Sequence, residues 1–184
     1  MAGAGRDERA WVEGAQAGSV SDLEALFRLH WPRAYRAAYL VVHDHAGAED
    51  IAQEAFLAAV RALDRFDRSR PFGPWLHRIV VNRAIDWARS REARRETATP
   101  DFESTIVRPA IPSAGPHMEA DARALAAGLA DLPPDQRAVI VLRYLLEYTP
   151  GEIADLLELP RGTVNSRLRR GLDQLQGRIA EGEK

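Results

Sequence analysis

The sequence predicts an all-α protein: two small helical domains joined by a proline-rich linker, the second ending in a helix-turn-helix. Three observations carry this. Apolar residues recur at helical spacing over about 8–95 and again over about 119–180, and no stretch alternates in the manner of a strand. Between them, ETATPDFESTIVRPAIPSAGPHM (96–118) holds four prolines and no amphipathic stripe. Residues 149–176, TPGEIADLLELPRGTVNSRLRRGLDQLQ, read as a helix, a tight turn and a second helix.

Each element has a local reason. Residues 1–7 are expected to lie outside the fold, and a short helix follows to about Ala17, stopped by Gly18. Ser21 and Glu24 have capping-box spacing, which predicts a helix opening there and running toward Val42, with Pro32 as a kink or interruption. Asp44, His45 and Gly47 make a turn. A long helix then spans about Ala48 to Phe66. Its inward stripe is Ile51, Ala55, Ala59 and Ala62, widened by Phe56, Val60 and Leu63. DRSRPFG (67–73) is a loop, and Pro71 and Pro74 suit the start of a helix from Pro74 to Arg94. After the linker come helices over about Glu119–Ala130 and Pro134–Leu146. In the helix-turn-helix, Ile153, Ala154 and Leu157 are expected to be buried. Val164, Leu168, Leu172 and Leu175 share one stripe of the final helix.

Composition excludes several classes. The chain of 184 residues has no cysteine, which removes disulfides, thiolate catalysis and zinc–cysteine sites. No apolar run approaches a membrane span, and the N-terminus lacks the apolar core of a signal peptide, so a cytoplasmic protein without membrane insertion is expected. Walker, Rossmann and nucleophile-elbow motifs are absent. His43, His45, Glu49 and Asp50 are close in sequence, but the histidines straddle a turn and no second cluster supplies further ligands. Neither metal nor other cofactor is expected. Net charge is −2, yet residues 61–95 hold 10 basic and 4 acidic side chains. A local basic patch can attract nucleic acid whatever the total charge.

Two surfaces point to nucleic acid. Asn165, Ser166, Arg169 and Arg170 lie off the apolar stripe of the final helix, and residues 161–170 contain four arginines and no acid. In a helix-turn-helix that face enters the major groove, where Arg reads guanine and Asn reads adenine. Arg161 and Arg167 suit phosphates. On the helix over 74–94, Arg78, Asn82, Arg83, Asp86 and Arg89 form a polar strip beside Trp75 and Trp87, a combination of charge and rings suited to unpaired DNA. Trp75 fits a core position at least as well. A third surface is Asp50, Gln53, Glu54 and Leu57, at i, i+3, i+4 and i+7. By residue type alone it is either a partner surface with a small apolar centre or an ordinary solvated acidic face.

The order of parts resembles an extracytoplasmic-function (group IV) sigma factor of the bacterial sigma-70 family. AEDIAQEAFLAAVRALDRFD (48–67) resembles the family's core-polymerase-binding helix. RPFGPWLHRIVVNRAIDWARSR (70–91) resembles its promoter-melting and minus-ten segment. LADLPPDQRAVIVLRYLLEYTPGEIADLLELPRGTVNSRLRRGLDQL (129–175) resembles its minus-thirty-five domain. The resemblance implies region 2 over 8–95, a linker over 96–118 and region 4 over 119–180. It implies a core RNA polymerase contact at Asp50, Gln53, Glu54 and Leu57. Minus-ten contacts fall at Arg78, Asn82, Arg83 and Asp86, and minus-thirty-five contacts at Arg161, Asn165, Ser166, Arg167, Arg169 and Arg170.

The same resemblance implies that the loop Phe66–Phe72 accepts a base flipped from the duplex, and that Asp101, Glu103, Glu119 and Asp121 give the linker an RNA-like charge. The implied protein is not an enzyme. Its partners are core RNA polymerase, promoter DNA and an anti-sigma factor. It is a monomer when free and joins the nucleoid with polymerase. No regulatory domain is expected beyond about Gln176. One position departs from the family: the turn residue often held by glycine is Glu158, which costs on the order of 1 kcal/mol if that backbone is left-handed. The alternative is a stand-alone helix-turn-helix regulator, which leaves the acidic helix and the basic aromatic helix without a purpose.

Overall fold

The computed structural model describes residues 4–97 and 126–182, and every regular element among them is helical. The linker and its acids Asp101, Glu103, Glu119 and Asp121 lie outside the described residues. α1 (Ala4–Gln16), α2 (Val20–Val42), α3 (His45–Ala62) and α4 (Phe72–Thr97) form the N-terminal bundle. Residues 126–130 are helical and lead into α5 (Pro134–Ile140), which widens over Val141–Leu145 into a π-helical turn closed by Leu146 N–H on the Val141 carbonyl. α6 (Pro150–Leu157) and α7 (Arg161–Gly182) are the helix-turn-helix.

Helix starts follow the side chains that reach their free N–H groups. α1 begins at Ala4, inside the stretch expected to lie outside the fold. α2 begins before Ser21. Ser19, extended after Gly18, is its cap and accepts from Asp22 N–H. Ser19 and Asp22 have the same spacing as Ser21 and Glu24, and Glu24 pairs instead with Arg28. Pro32 does not end α2. It sits on the exposed side, where the carbonyl the missing N–H leaves free is open to solvent rather than buried. The expected turn at Asp44–Gly47 is the cap of α3, with Gly47 N–H on Asp44 Oδ1 at 2.8 Å. α3 ends at Ala62 in a single 3₁₀ turn, Leu63–Arg65. α4 begins at Phe72, two residues before Pro74, because proline in a first turn costs no hydrogen bond. Thr149 and Glu152 form a complete capping box on α6.

One continuous apolar core runs through both halves, from Leu26, Val41 and Leu76 to Leu142, Ile153 and Val164. Burying a side chain of this size contributes about 1.5–3 kcal/mol. In the helix-turn-helix, Ile153, Ala154, Val164, Leu168 and Leu175 are buried as their spacing predicts. Leu156 takes the buried place expected for Leu157, which is only partly covered. A Cβ on Gly171 would lie 2.7 Å from Ile140 Cδ1, so α7 packs closely on α5 through a residue without a side chain.

The halves do not stand apart. α4 packs on α5 and α6, and α2 packs on α5 and the π-turn. Arg137 is buried at this seam. Its guanidinium donates to the carbonyls of Leu129, Ala130 and Leu132, and across the seam to that of Val41. Burial pushes its pKa down to about 10, so it stays charged at neutral pH. His77 Nδ1 and the Tyr148 hydroxyl, 2.8 Å apart, make a second link. Burial depresses the imidazole to about 4 and raises the phenol, so both are neutral near pH 7.

Candidate nucleic-acid interface

α3 offers one exposed face. Asp50, Gln53, Glu54 and Leu57 all lie on it, as expected from their spacing, and Leu57 is 53% exposed. The apolar part is wider than the sequence suggests. Val60, expected to widen the inward stripe, is 40% exposed, because it lies at the edge of the arc that faces the neighbouring helices. Phe27 of α2 is 40% exposed too, its ring 4.9 Å from that of buried Phe56 and stacked on Trp31 at 4.8 Å. Acids beside a Phe–Leu–Val patch suit a partner with basic and apolar groups rather than DNA. A helical pattern places residues around an axis but does not say where the next helix stops covering it. The sequence therefore gives no signal for Phe27 and places Val60 inward.

The loop before α4 is built on rings. Phe66, Phe72 and Trp75 form a cluster with centroids 4.6–5.9 Å apart. Phe66 and Phe72 are buried and Trp75 is partly buried, so these rings are foundation more than free stacking surface. Asp67 Oδ1 accepts from Ser69 N–H at 2.9 Å and fixes the turn. Beside the loop is a cavity of about 150 Å³ lined by Arg68, Arg70, Pro71 and Phe72, with Glu8, Arg9 and Val12 contributed by α1. Trp87 packs under the other end of α4. A Cβ on Gly47 would meet its ring at 2.7 Å, and the Arg91 guanidinium lies 5.0 Å from the ring centre.

Along α4 the polar strip is present, but its cations are occupied. Arg78 bonds Glu158, Arg83 Nη1 lies 2.7 Å from Glu54 Oε2, and Arg89 Nη2 meets both oxygens of Asp135 at 2.7 and 2.9 Å. The bond from Asp135 raises the Arg89 pKa further. Asn82 is half-buried and Asp86 exposed.

α7 is different. Arg161, Asn165, Arg169 and Arg170 are exposed on its outer face, and Ser166 is half-buried with its hydroxyl donating to the Thr163 carbonyl at 2.9 Å. Arg169 has only a long 3.8 Å pairing with Asp173, and Arg161 and Arg170 make no ion pair among the described residues. Arg167 is turned inward, 3.3 Å from Asp135. The turn between α6 and α7 is left-handed at Glu158 (φ 54°, ψ 44°), and Leu159 N–H closes it on the Ala154 carbonyl.

The histidines do not gather ligands. His43 ends α2 in a left-handed cap and is depressed by burial to about 4, and His45 Nδ1 lies 2.6 Å from the Tyr35 hydroxyl. Among the described residues no group of three or more His, Asp or Glu side chains has metal-holding geometry.

These surfaces stand in a frame shared with known proteins. Residues 26–94 match sigma-70 region 2, and residues 122–175 match sigma-70 region 4. The sigma factor SigW of Bacillus subtilis is 30% identical over 157 residues, covering 81% of this chain and 84% of that protein. The chain belongs to the extracytoplasmic-function RNA polymerase sigma factors. It is thus a DNA-binding transcription initiation factor. SigM of Mycobacterium tuberculosis is 32% identical over 174 residues, covering 93% and 85%. SigE of Mycolicibacterium smegmatis is 34% identical, and the match spans 86% of this chain but 62% of that longer relative. Among solved structures, CnrH in complex with the cytosolic domain of CnrY superimposes with a TM-score of 0.69 at 26% identity, covering 97% of this chain and 99% of that one. RpoE of Bartonella quintana, in complex with the anti-sigma factor NepR, gives 0.70 at 25% identity, covering 88% and 98%. No helix among the described residues is long and apolar enough to cross a membrane.

Proposed function

We propose that this sigma factor docks core RNA polymerase through Asp50, Gln53, Glu54 and Leu57, with Phe27 and Val60 enlarging the apolar centre. The observation that carries this is the single exposed face on which acids and uncovered apolar side chains meet. Region 2 spans 8–95 and region 4 spans 119–180 in this reading, with the linker between. Arg78, Asn82, Arg83 and Asp86 serve the minus-ten element, and the cavity beside Phe66–Phe72 receives the extruded base, at a cost of a few kcal/mol returned by contacts. Asn165, Ser166, Arg169 and Arg170 read the minus-thirty-five element, while Arg161 holds a phosphate and Arg167 does so on leaving its pairing with Asp135.

The chain makes no bonds itself, works in the cytoplasm as a group IV factor and is monomeric when free. An anti-sigma factor is a further partner, a reading supported by the complexes of the two structural relatives. The test is co-elution of the purified chain with bacterial core polymerase. The wild type is expected to co-elute and the Asp50→Ala, Gln53→Ala variant to fail, with unchanged melting. Binding by both would move the docking site elsewhere.

A further inference from the structure

α1 lies ahead of the stretch that matches region 2, and neither the α3 face nor the α4 strip draws on it. Three of its polar side chains reach one target, the loop between α3 and α4. Gln16 Nε2 donates to the carbonyls of Leu63 and Phe66 at 2.7 and 3.0 Å, 47 and 50 positions away. These carbonyls belong to the 3₁₀ turn after α3 and its cap, where a helix runs out of its own donors. Glu13 Oε1 meets Arg68 Nη1 at 3.1 Å in the middle of the loop. Glu8 stands at the far end. Its Oε1 lies 3.3 Å from Nε2 of buried His30, and this contact, with the N–H groups of Gly73 and Phe72 at the start of α4, lowers its pKa. Val12 is buried on the same side of α1 and lines the cavity of about 150 Å³ beside the loop. Within the loop itself the bonds are those of one turn, Ser69 N–H on Asp67 Oδ1 and Arg70 N–H on the Asp67 carbonyl.

We propose that α1 is a splint that sets the shape of this loop for the extruded base, with Gln16, Glu8 and Glu13 as its positioning residues. The splint rests on the reading of the cavity as the seat of that base. Gln16 is the main fastener, because one half-buried amide satisfies two carbonyls at once. The Glu13–Arg68 pair is exposed and contributes little. Glu8 ties α1 to α2 and to the start of α4, so the splint is itself anchored. A loop that orders itself on binding spends affinity on lost freedom, and a loop already held does not. A cavity of fixed shape also rejects a base that does not fit, whereas an adaptable loop accepts all four. The splint therefore acts on discrimination between bases and leaves polymerase docking on α3 unchanged.

The test uses the full chain with core polymerase. The wild-type complex selects bound fragments from a randomised duplex library. One fragment is rebuilt with an unpaired bubble carrying each of the four bases in turn at every open position. The wild type is expected to prefer one base over the worst by about tenfold or more at one position. Gln16→Met keeps the bulk and removes the donor, and Glu8→Ala removes the acceptor. In the double variant that preference should fall about five- to tenfold, with co-elution and preference at the other open positions retained. Exchange of the Ser69 and Arg70 N–H groups in the free chain should quicken. Glu8→Gln, which keeps an acceptor, should restore the preference that Glu8→Ala loses. If the double variant melts early, Gln16→Met alone decides by the same readings. Unchanged preference or unchanged exchange overturns the splint and leaves the base seat standing. Equal loss at every open position marks a general loss of structure and overturns it too. A wild type without preference at any open position overturns the base seat and the splint with it.

Discussion

α4 and α7 carry similar cations and treat them in opposite ways. On α4 the three strip arginines Arg78, Arg83 and Arg89 each hold a carboxylate, two of them from the other half of the chain. On α7 the outer arginines Arg161, Arg169 and Arg170 face solvent with at most one long pairing. The difference lies in neighbours, not in residue type. α4 is clasped between α2, α3, α5 and α6, so acids of several elements reach it. α7 buries one stripe on α5 and α6 and leaves the opposite side to water. A recognition face that is open in the free chain can search duplex DNA at once. A face whose charges are already neutralised needs its surroundings to change first.

The contrast can be broken most severely at its scaffold. Arg137→Ala removes a buried donor shared by four carbonyls at the seam and is expected to destabilise the chain by about 3–5 kcal/mol, read as a lowered midpoint in urea. A loss under 1 kcal/mol would mean that the seam does not depend on this cation.

The contrast is sharpened by single arginines. Arg170→Ala should weaken promoter duplex binding by about 1–3 kcal/mol if it reads a base, and the loss should differ between sequences. Arg78→Ala should change the free chain's DNA affinity little and act only in the polymerase complex. Equal losses for the two variants in the free chain would erase the distinction.

Acid should open the seam. The folded pKa of His77 is depressed to about 4 from 6.5, so its neutral form supports folding above about pH 6.5, and that support is lost as pH falls toward 4. His43 acts in the same direction. Between pH 7 and pH 5 each histidine should remove about 1–2 kcal/mol of stability. His77→Phe should shrink the drop in melting temperature between these pH values, and an unchanged drop would assign the acid sensitivity to other groups.

The smallest effect belongs to the surface pair Arg83–Glu54, which joins the polar strip of α4 to the exposed face of α3. A double-mutant cycle on stability should give at most about 1 kcal/mol, with both side chains partly exposed. A larger coupling would mark the pair as structural.

Helix periods, the prolines of the linker and the arginine run were legible because each is a local property. The inward stripes of α3 and α7 needed only a 3.6-residue repeat to be placed, and Asp50, Gln53, Glu54 and Leu57 needed only the same repeat to share a face. The α2 cap was misplaced because Ser19–Asp22 and Ser21–Glu24 have equivalent spacing. Which serine caps depends on the turn before it, set by Gly18 at φ 91°. Val60 and Leu156 show the same limit: the period fixes an angle around the helix, and only the partner helices decide how wide an arc they cover.

The sequence by itself determined two helical halves, the family and the three candidate surfaces, since these follow from residue type and short-range spacing. Only the tertiary structure decided that the halves pack on each other, that Arg137 and His77 are seam residues, and that Glu158 reaches Arg78. Ion pairs between residues 46 and 80 positions apart leave no periodic trace. They arise from chain packing, which no local pattern encodes.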